Sequence, residues 1–416
     1  MRIAIIGSGI SGLVVAYRLH PRHDITLFEA DDYVGGHTNT VTVDVEDRSH
    51  RVDTGFIVFN DRTYPEFVSL LNELRVPSRP TPMSFSVRCD RTGLEYNGTS
   101  LNGLFAQRRN LLRPRFYRMV RDILRFNRQA PAWLDLCAEE VTVGQFLAEH
   151  GYSREFAEHY LLPMGSAIWS CPHEAFANFP MRFVIEFYRH HGLLNLRDRP
   201  TWRVIEGGSQ TYVDALTRGF RDRIRLGTPV ENVQRFADRV ELAYRGGGEP
   251  FDHVVFACHS DQALALLDQP TALEREVLSA FPYEENIAVL HTDTSVLPRV
   301  RRAWASWNYH VRCQPTGRAT VSYYMNMLQH LDARQAICVS LNAEDLIDPA
   351  KILRRFVYHH PVYTTQRASA QRRHGDLLGA NRTSFCGAYW GNGFHEDGVQ
   401  SGLAVCRALS SAPVAN

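Results

Sequence analysis

A glycine-rich turn set between an apolar strand and an apolar helix, at the very start of the chain, constrains the fold more than any other feature. Arg2 to Ile6 is a short apolar run, Gly7-Ser8-Gly9-Ile10-Ser11-Gly12 follows, and Leu13, Val14, Ala16, Tyr17 and Leu19 then recur at helical spacing. Asp24 to Phe28 alternates as a second strand and ends at Glu29. Strand, tight turn, helix and strand make a βαβ unit. In such a unit Gly7 permits the tight turn, Gly9 lets backbone approach a pyrophosphate, and Gly12 lets the helix pack on the strand. The helix N-terminus at Ile10 and Ser11 faces the phosphates with partial positive charge. Glu29, 22 residues past Gly7 and followed by Ala30, is placed to accept hydrogen bonds from a ribose diol. A glycine pattern alone recurs by chance; its place between strand and helix, with the acid beyond, gives it meaning.

A chain of 416 residues is too long for one ordinary core and suits two interleaved domains. The near-balance of 46 basic and 45 acidic residues excludes a nucleic-acid-coating role and names no partner. The cysteines at 89, 137, 171, 258, 313, 338, 386 and 406 form no CxxC pair, so neither a disulfide framework nor a zinc site is expected. With no HExxH and no GxSxG, metalloenzyme and hydrolase readings have no support, and no metal is expected. No apolar run reaches the ~20 residues of a membrane helix and no charged-then-apolar leader precedes the first strand, so a cytoplasmic location is expected, or a peripheral one at the inner membrane surface.

Residues 62 to 76 have amphipathic helical spacing, with Phe67, Leu70, Leu71 and Leu74 on one face. From about 100 to 192 helical patterns dominate, and strand signals return after Ile205: Ile224 to Val233, Val240 to Tyr244 and Asp252 to Ala257. Further β-like alternation covers 286 to 291 and 319 to 325, and a final helix is expected from Val399 to Leu409. Segments 1–76, 200–285 and 375–416 are assigned to a nucleotide-binding domain, and 77–199 and 286–374 to a substrate domain.

Gly35-Gly36-His37, just beyond the acidic residue, extends the pattern. GxGxxG, Glu, then Gly-Gly and a basic residue resembles the FAD-dependent amine oxidase and phytoene desaturase superfamily, and Asp53-Thr54-Gly55 fits it too. The resemblance implies an α/β fold in which a Rossmann-type FAD-binding domain is interleaved with an α+β substrate domain. It implies FAD contacts at Gly35, Gly36, His37, Thr54 and Gly55. Glu206-Gly207-Gly208 with Thr228-Pro229-Val230 resembles the segment whose strand residue, here Val230, contacts the adenine end through its backbone. Cys386-Gly387-Ala388, Gly393 and Glu396-Asp397-Gly398-Val399 resemble the C-terminal closure, which implies flavin contacts at Gly387, Gly398 and Val399. No second GxGxxG follows a strand, so electrons are expected to pass to oxygen or another acceptor.

Amine oxidases often use a lysine near the flavin. The one lysine here, Lys351, reads as part of an exposed helix turn from Ala350 to Phe356, which weakens that reading. Trp304 to Tyr309, His359 to Tyr363 and Gly387 to Asp397 look like a bacterial subgroup similar to the oxidase-like N-terminal region of plant cyclopropane fatty acid synthases. Their genes commonly neighbour cyclopropane-synthase-like methyltransferases. That resemblance implies an unsaturated or modified fatty acyl substrate and a lipid methyltransferase partner. Tyr389, Trp390, Phe394 and His395, with Trp307, Asn308 and Tyr309, are the candidates to line the substrate side, against the alternative of ordinary buried core. His359 and His360 read as satisfied or surface imidazoles before a proline turn. Residues 108 to 128 carry eight arginines against one acid, Asp122, interleaved with apolar residues. Such a stretch suits an anionic membrane surface, though a core-packed helix with a solvated basic face is the blander alternative. Three functions stay open: acyl-chain oxidoreductase, amine oxidase, and nonredox flavin isomerase or accessory subunit of a lipid methyltransferase.

Overall fold

A computed structural model describes residues 1–136, 138, 140–314 and 317–411. Its first layer is a five-stranded sheet, with β1 (Arg2–Ile6) at the centre and β2 (Asp24–Phe28) beside it. The order runs Ile224–Arg225, β2, β1, His253–Phe256, Thr383–Phe385, and every pair is parallel. Parallel strands are covered on both faces, which is why β1 and His253–Phe256 are nearly unbroken apolar runs. Helix α1 (Ile10–Leu19) connects β1 to β2 and packs against the C-terminal helix His395–Ser411.

The second layer is a seven-stranded sheet in the order Ile352–Pro361, Tyr283–His291, Cys338–Leu341, Val321–Tyr324, Trp307–Val311, Phe85–Cys89, Leu94–Asn97. All pairings are antiparallel except Trp307–Val311 with Phe85–Cys89. Helices fill most of 101–190, as the sequence leads one to expect, and the α/β class with an interleaved mixed sheet is the one observed. Helix Pro65–Leu74 buries Phe67, Leu70 and Leu71, as its spacing predicts.

Two elements depart from expectation: the run Ile224 to Val233 is two strands, Ile224–Arg225 in the parallel sheet and Val230–Arg235 in a three-stranded antiparallel sheet, and the segment around Lys351 is not a continuous helix. Only Pro349–Lys351 is a helical turn, and Ile352–Pro361 is the edge strand of the larger sheet. Its pattern hides the strand because Val357 points to solvent while Tyr358 and His360 point inward, the reverse of ordinary burial. The seven described cysteines are unpaired, and Cys137 lies outside the described residues. Among the described residues no helix is long and apolar enough to cross a membrane, and no cluster of metal-ligating side chains occurs.

Candidate cofactor cradle and substrate face

The turn after β1 is shaped by close approaches that only glycine tolerates. The Gly7 amide donates to the Phe28 carbonyl at 2.8 Å, and its φ of +104° brings a would-be Cβ to 2.8 Å from the Ala257 carbonyl oxygen. A Cβ on Gly12 would stand 2.0 Å from the Gly7 oxygen, so α1 could not seat against the turn. Gly9 differs: a Cβ there would meet nothing within 4 Å. Gly9 caps α1, no side chain caps the helix, and no acid lies in its first turn. The N-terminal amides of α1 therefore face open space beside a position where only backbone stands, the arrangement that holds a pyrophosphate.

At the end of β2 the Glu29 side chain is buried and accepts from the Ser8 amide at 2.8 Å, the Ser8 hydroxyl, and the Asp31 amide at 3.0 Å. A carboxylate has about four acceptor positions, so with three donors in place capacity remains for one ribose hydroxyl. The Glu29 carbonyl accepts from the Thr228 amide at 2.8 Å, bringing the segment before Val230 alongside. Val230 pairs with Tyr244, and a bulge at Glu231 follows before pairing resumes at Asn232. Ala30 is exposed at the rim. Turn, helix end, acid and the 228–230 segment converge here, and they fit the phosphates and ribose of the FAD that the sequence implies.

The next segments fold across this cradle. Gly36, at φ +58°, would place a Cβ 3.2 Å from the Gly9 Cα, while the Gly35 amide donates to the Ser8 hydroxyl at 3.1 Å. A Cβ on Gly55 would reach 2.2 Å from the His37 carbonyl oxygen, so Gly55 serves a close backbone contact. The Thr54 hydroxyl lies 2.8 Å from the Tyr358 hydroxyl on the larger sheet and 3.0 Å from the Asn39 carbonyl oxygen. Asp53 is an interior hub: its carboxylate accepts from Thr40, Ser209 and Gln329, and burial pushes its pKa up to about 6. At the C-terminal closure the Gly387 amide donates to Ser401 at 3.0 Å. Gly398 and Gly402 let the C-terminal helix lie against Ile10, Ser11 and Val14 of α1, and Val399 is core.

Between the cradle and the larger sheet lies a group of residues that no local spacing reveals. The ring of His37 sits 5.0 Å from Tyr358, 5.2 Å from His360 and 6.2 Å from His259, and His259 stacks on Tyr283 at 4.3 Å. Burial, then the neighbouring imidazoles, lowers His37 and His360 to about 3 and His259 to about 4, so all three are neutral near pH 7. His37 thus contributes no positive charge here. His360 is satisfied by Asn286 at 3.1 Å, whereas His359 is exposed.

The aromatic candidates fall into three separate groups. Tyr389 and Trp390 pack on Phe281, Trp390 stacks on His374, and Phe394 stacks on Phe187 of the helical insert. Around them the Tyr363 hydroxyl, Thr364 Oγ1 and Arg367 Nε are buried without a hydrogen-bond partner, and Tyr389 Oη and Trp390 Nε1 have none of good geometry beyond each other. A buried polar atom without a partner costs about 1–3 kcal/mol, and others occur elsewhere among the described residues, Tyr188 Oη and Trp307 Nε1 among them. His395, expected on that face, instead closes a triangle in which its Nε2 lies 3.0 Å from Thr38 Oγ1 and 2.9 Å from Tyr212 Oη, while its ring stacks on Phe56. Trp307 and Tyr309 lie in the larger sheet, against Tyr323 and His173 respectively. Asn308 is a buried structural pin, accepting from Ser86 at 2.7 Å and donating to Ala305 at 2.6 Å. Lys351 is half-exposed and pairs with Asp293 at 3.4 Å and Asp348 at 4.0 Å, within the surface turn that precedes the edge strand.

Comparison with known proteins agrees with this geometry. The profile of a family described as flavin containing amine oxidoreductase matches residues 10–410. The CLA-producing fatty acid isomerase from P. acnes superposes with a TM-score of 0.70 at 16% identity, covering 98% of each chain. Cyclohexylamine oxidase from Brevibacterium oxydans does so with a TM-score of 0.69 at 15% identity, covering 98% of this chain and 99% of that one. At these identities the likeness is one of fold. The Arabidopsis thaliana protein named "Probable flavin-containing monooxygenase 1" is 40% identical over 80 residues, so the match spans only 18% of this chain and 15% of that protein.

Proposed function

The chain belongs to the flavin-containing amine oxidoreductase family, and from that premise we propose that this FAD-dependent oxidoreductase removes hydride from an apolar substrate, an unsaturated or modified fatty acyl chain. When bound, FAD supplies the hydride acceptor. The chain's own part is to hold and orient. The uncapped end of α1 and the bare backbone at Gly9 suit the pyrophosphate, and Glu29 suits the ribose. The neutral imidazoles of His37, His259 and His360 add no positive charge to the region between the two sheets, which suits an apolar substrate.

The observation that supports the reading is the aromatic cluster proposed as the substrate face. It is built from Tyr389, Trp390, Phe281, Phe394 and the aromatic helical insert, with no lysine anywhere in it, the one lysine being held at the surface by two aspartates. The fold likeness to a fatty acid isomerase supports acyl chemistry and favours a second reading, in which a double bond moves without net oxidation.

The product separates the two readings. Purified holoenzyme is incubated with phospholipid carrying monounsaturated chains and an electron acceptor, and the released acyl chains are weighed by mass spectrometry. Chains two hydrogens lighter are expected. Chains of unchanged mass with a shifted double bond would establish isomerisation instead, and unaltered chains would remove the acyl reading.

A further inference from the structure

The helix Pro114–Leu136 buries Phe116, Met119, Phe126, Ala130 and Leu134, and its opposite stripe is Tyr117, Arg121, Leu124 and Arg128. Steps of four, three and four residues put these on one exposed face, alternately apolar and basic. Six of the eleven large hydrophobic residues exposed among the described residues fall between 101 and 136, so the exposure is concentrated there and not scattered. Leu112 at 87% and Leu101 at 77% are the most exposed of all.

The same helical turn that carries Leu111 and Leu112 contributes Arg108 and Arg109 to a cleft of about 800 Å³ whose walls also carry Arg88, Arg299 and Arg302. The cleft's two acids are already committed. Glu95 accepts from the backbone amides of Arg299 and Val300 at 3.0 and 2.8 Å, and Asp90 is held by Arg88 and His310. Arg88 is also committed, to Asp90 and to the Ser295 and Leu297 carbonyls. Arg108 and Arg109 donate only to neutral oxygens. Among the described residues no carboxylate pairs with Arg108, Arg109, Arg299 or Arg302, which come from two distant parts of the chain. Burial and the Arg109 charge lower the Arg113 pKa, a sign of like-charge crowding at the same rim. The short helix Leu101–Leu104 packs against the turn Arg301–Ala303, so leucines and both arginine pairs share one surface.

We propose that this surface docks on an anionic bilayer, with Leu101, Leu111, Leu112 and Leu124 entering the interface and the arginine cleft taking lipid phosphate. Single leucines set among unpaired arginines match the layered chemistry of a lipid surface, with apolar depth below a negative plane. A protein partner would be met by a contiguous apolar patch, and nucleic acid would have no use for exposed leucines. The inference goes beyond the acyl reading, because vesicle binding needs no turnover and either result can fail alone.

The test is sedimentation of FAD-loaded protein with phosphatidylglycerol vesicles and with phosphatidylcholine vesicles at low and high salt. Strong binding to the anionic vesicles, weakened by salt, is expected. Each neutralised arginine should weaken partition by about fivefold, so R108Q/R109Q/R299Q/R302Q should lose on the order of several hundredfold while its flavin spectrum and Tm stay as in the parent. Leu112→Ser tests the apolar half without touching charge and should also weaken partition. Equal binding to both vesicles, variants that partition like the parent, or no binding at low salt would each overturn the proposal, the last leaving the face to a protein partner.

Discussion

The cofactor cradle and the proposed substrate face are built from different material. Around Gly7, Gly9, Gly12 and Glu29 the site is backbone and helix end, the Glu29 carboxylate is paired while the helix end carries no side-chain cap, and its shape follows from residues close in sequence. Around Tyr389 and Trp390 the proposed face is side chain, several of its polar atoms have no partner, and it is part of a hydrophobic cluster shared by the helical insert, the Phe281 region and the C-terminal turn. A backbone site fixes what every member of a fold must bind. A side-chain site can be rewritten without disturbing it.

The sharpest way to break this contrast is inside the cradle. Gly12→Val, whose Cβ would stand 2.0 Å from the Gly7 oxygen, should yield no folded flavoprotein, whereas Gly9→Val, with nothing within 4 Å, should keep its apo fold. Flavin-quenching titrations should then find Gly9→Val weakened by about a hundredfold, because the branched side chain fills the phosphate approach. Equal FAD affinity in Gly9→Val and the parent would remove the pyrophosphate from this turn.

On the substrate face, Tyr389→Phe should leave Tm unchanged or slightly raised, since the hydroxyl has no partner of good geometry there, yet slow acyl-driven flavin reduction about tenfold. A loss of stability without a change in reduction rate would return Tyr389 to the core.

Between the two regions lie the neutral histidines, and they set a pH dependence. Their folded pKa values, about 3 for His37 and His360 and about 4 for His259, lie below the ordinary value of 6.5, so the unfolded chain binds protons first as pH falls. The stability they contribute is full above about pH 6.5 and is lost as pH drops toward 4. Asp53 and Asp397, each raised to about 6 by burial, work in the opposite direction over the same range, but they are two groups shifted by less against three imidazoles. Thermal melts should therefore fall from pH 7 to pH 5, and His37→Asn should flatten that fall. A flat profile in the parent would show the imidazoles to be solvated.

Lys351→Met should have the smallest effect, within about twofold on flavin reduction, since it removes only a half-exposed ion pair. A large loss with retained fold would revive lysine-assisted amine oxidation.

The same contrast explains what could be read from the sequence. Gly7 to Glu29 was legible because turn, helix end and acid lie within one βαβ unit. The hairpin Thr40–Asp53 was not, because its turn places Glu46 and Asp47 at positive φ, where Asn-Gly would have announced it. The edge strand Ile352–Pro361 hid behind an inverted pattern, with Val357 outside and His360 inside. His37, His259, His360 and Tyr358 come together only through the docking of two sheets. His395 looked like a pocket residue from its place before a glycine turn, but its partners Thr38 and Tyr212 are fixed by tertiary packing alone. The long arginine-rich helix was recognisable at once, whereas its alignment with Arg299 and Arg302 was not.

The most direct test is the visible spectrum of the bound flavin, followed without oxygen while phospholipid bearing unsaturated chains is compared with a panel of amines. Bleaching by the lipid alone is the predicted result. Bleaching by amines alone would contradict the account and make this chain an amine oxidase that works without a lysine at its flavin.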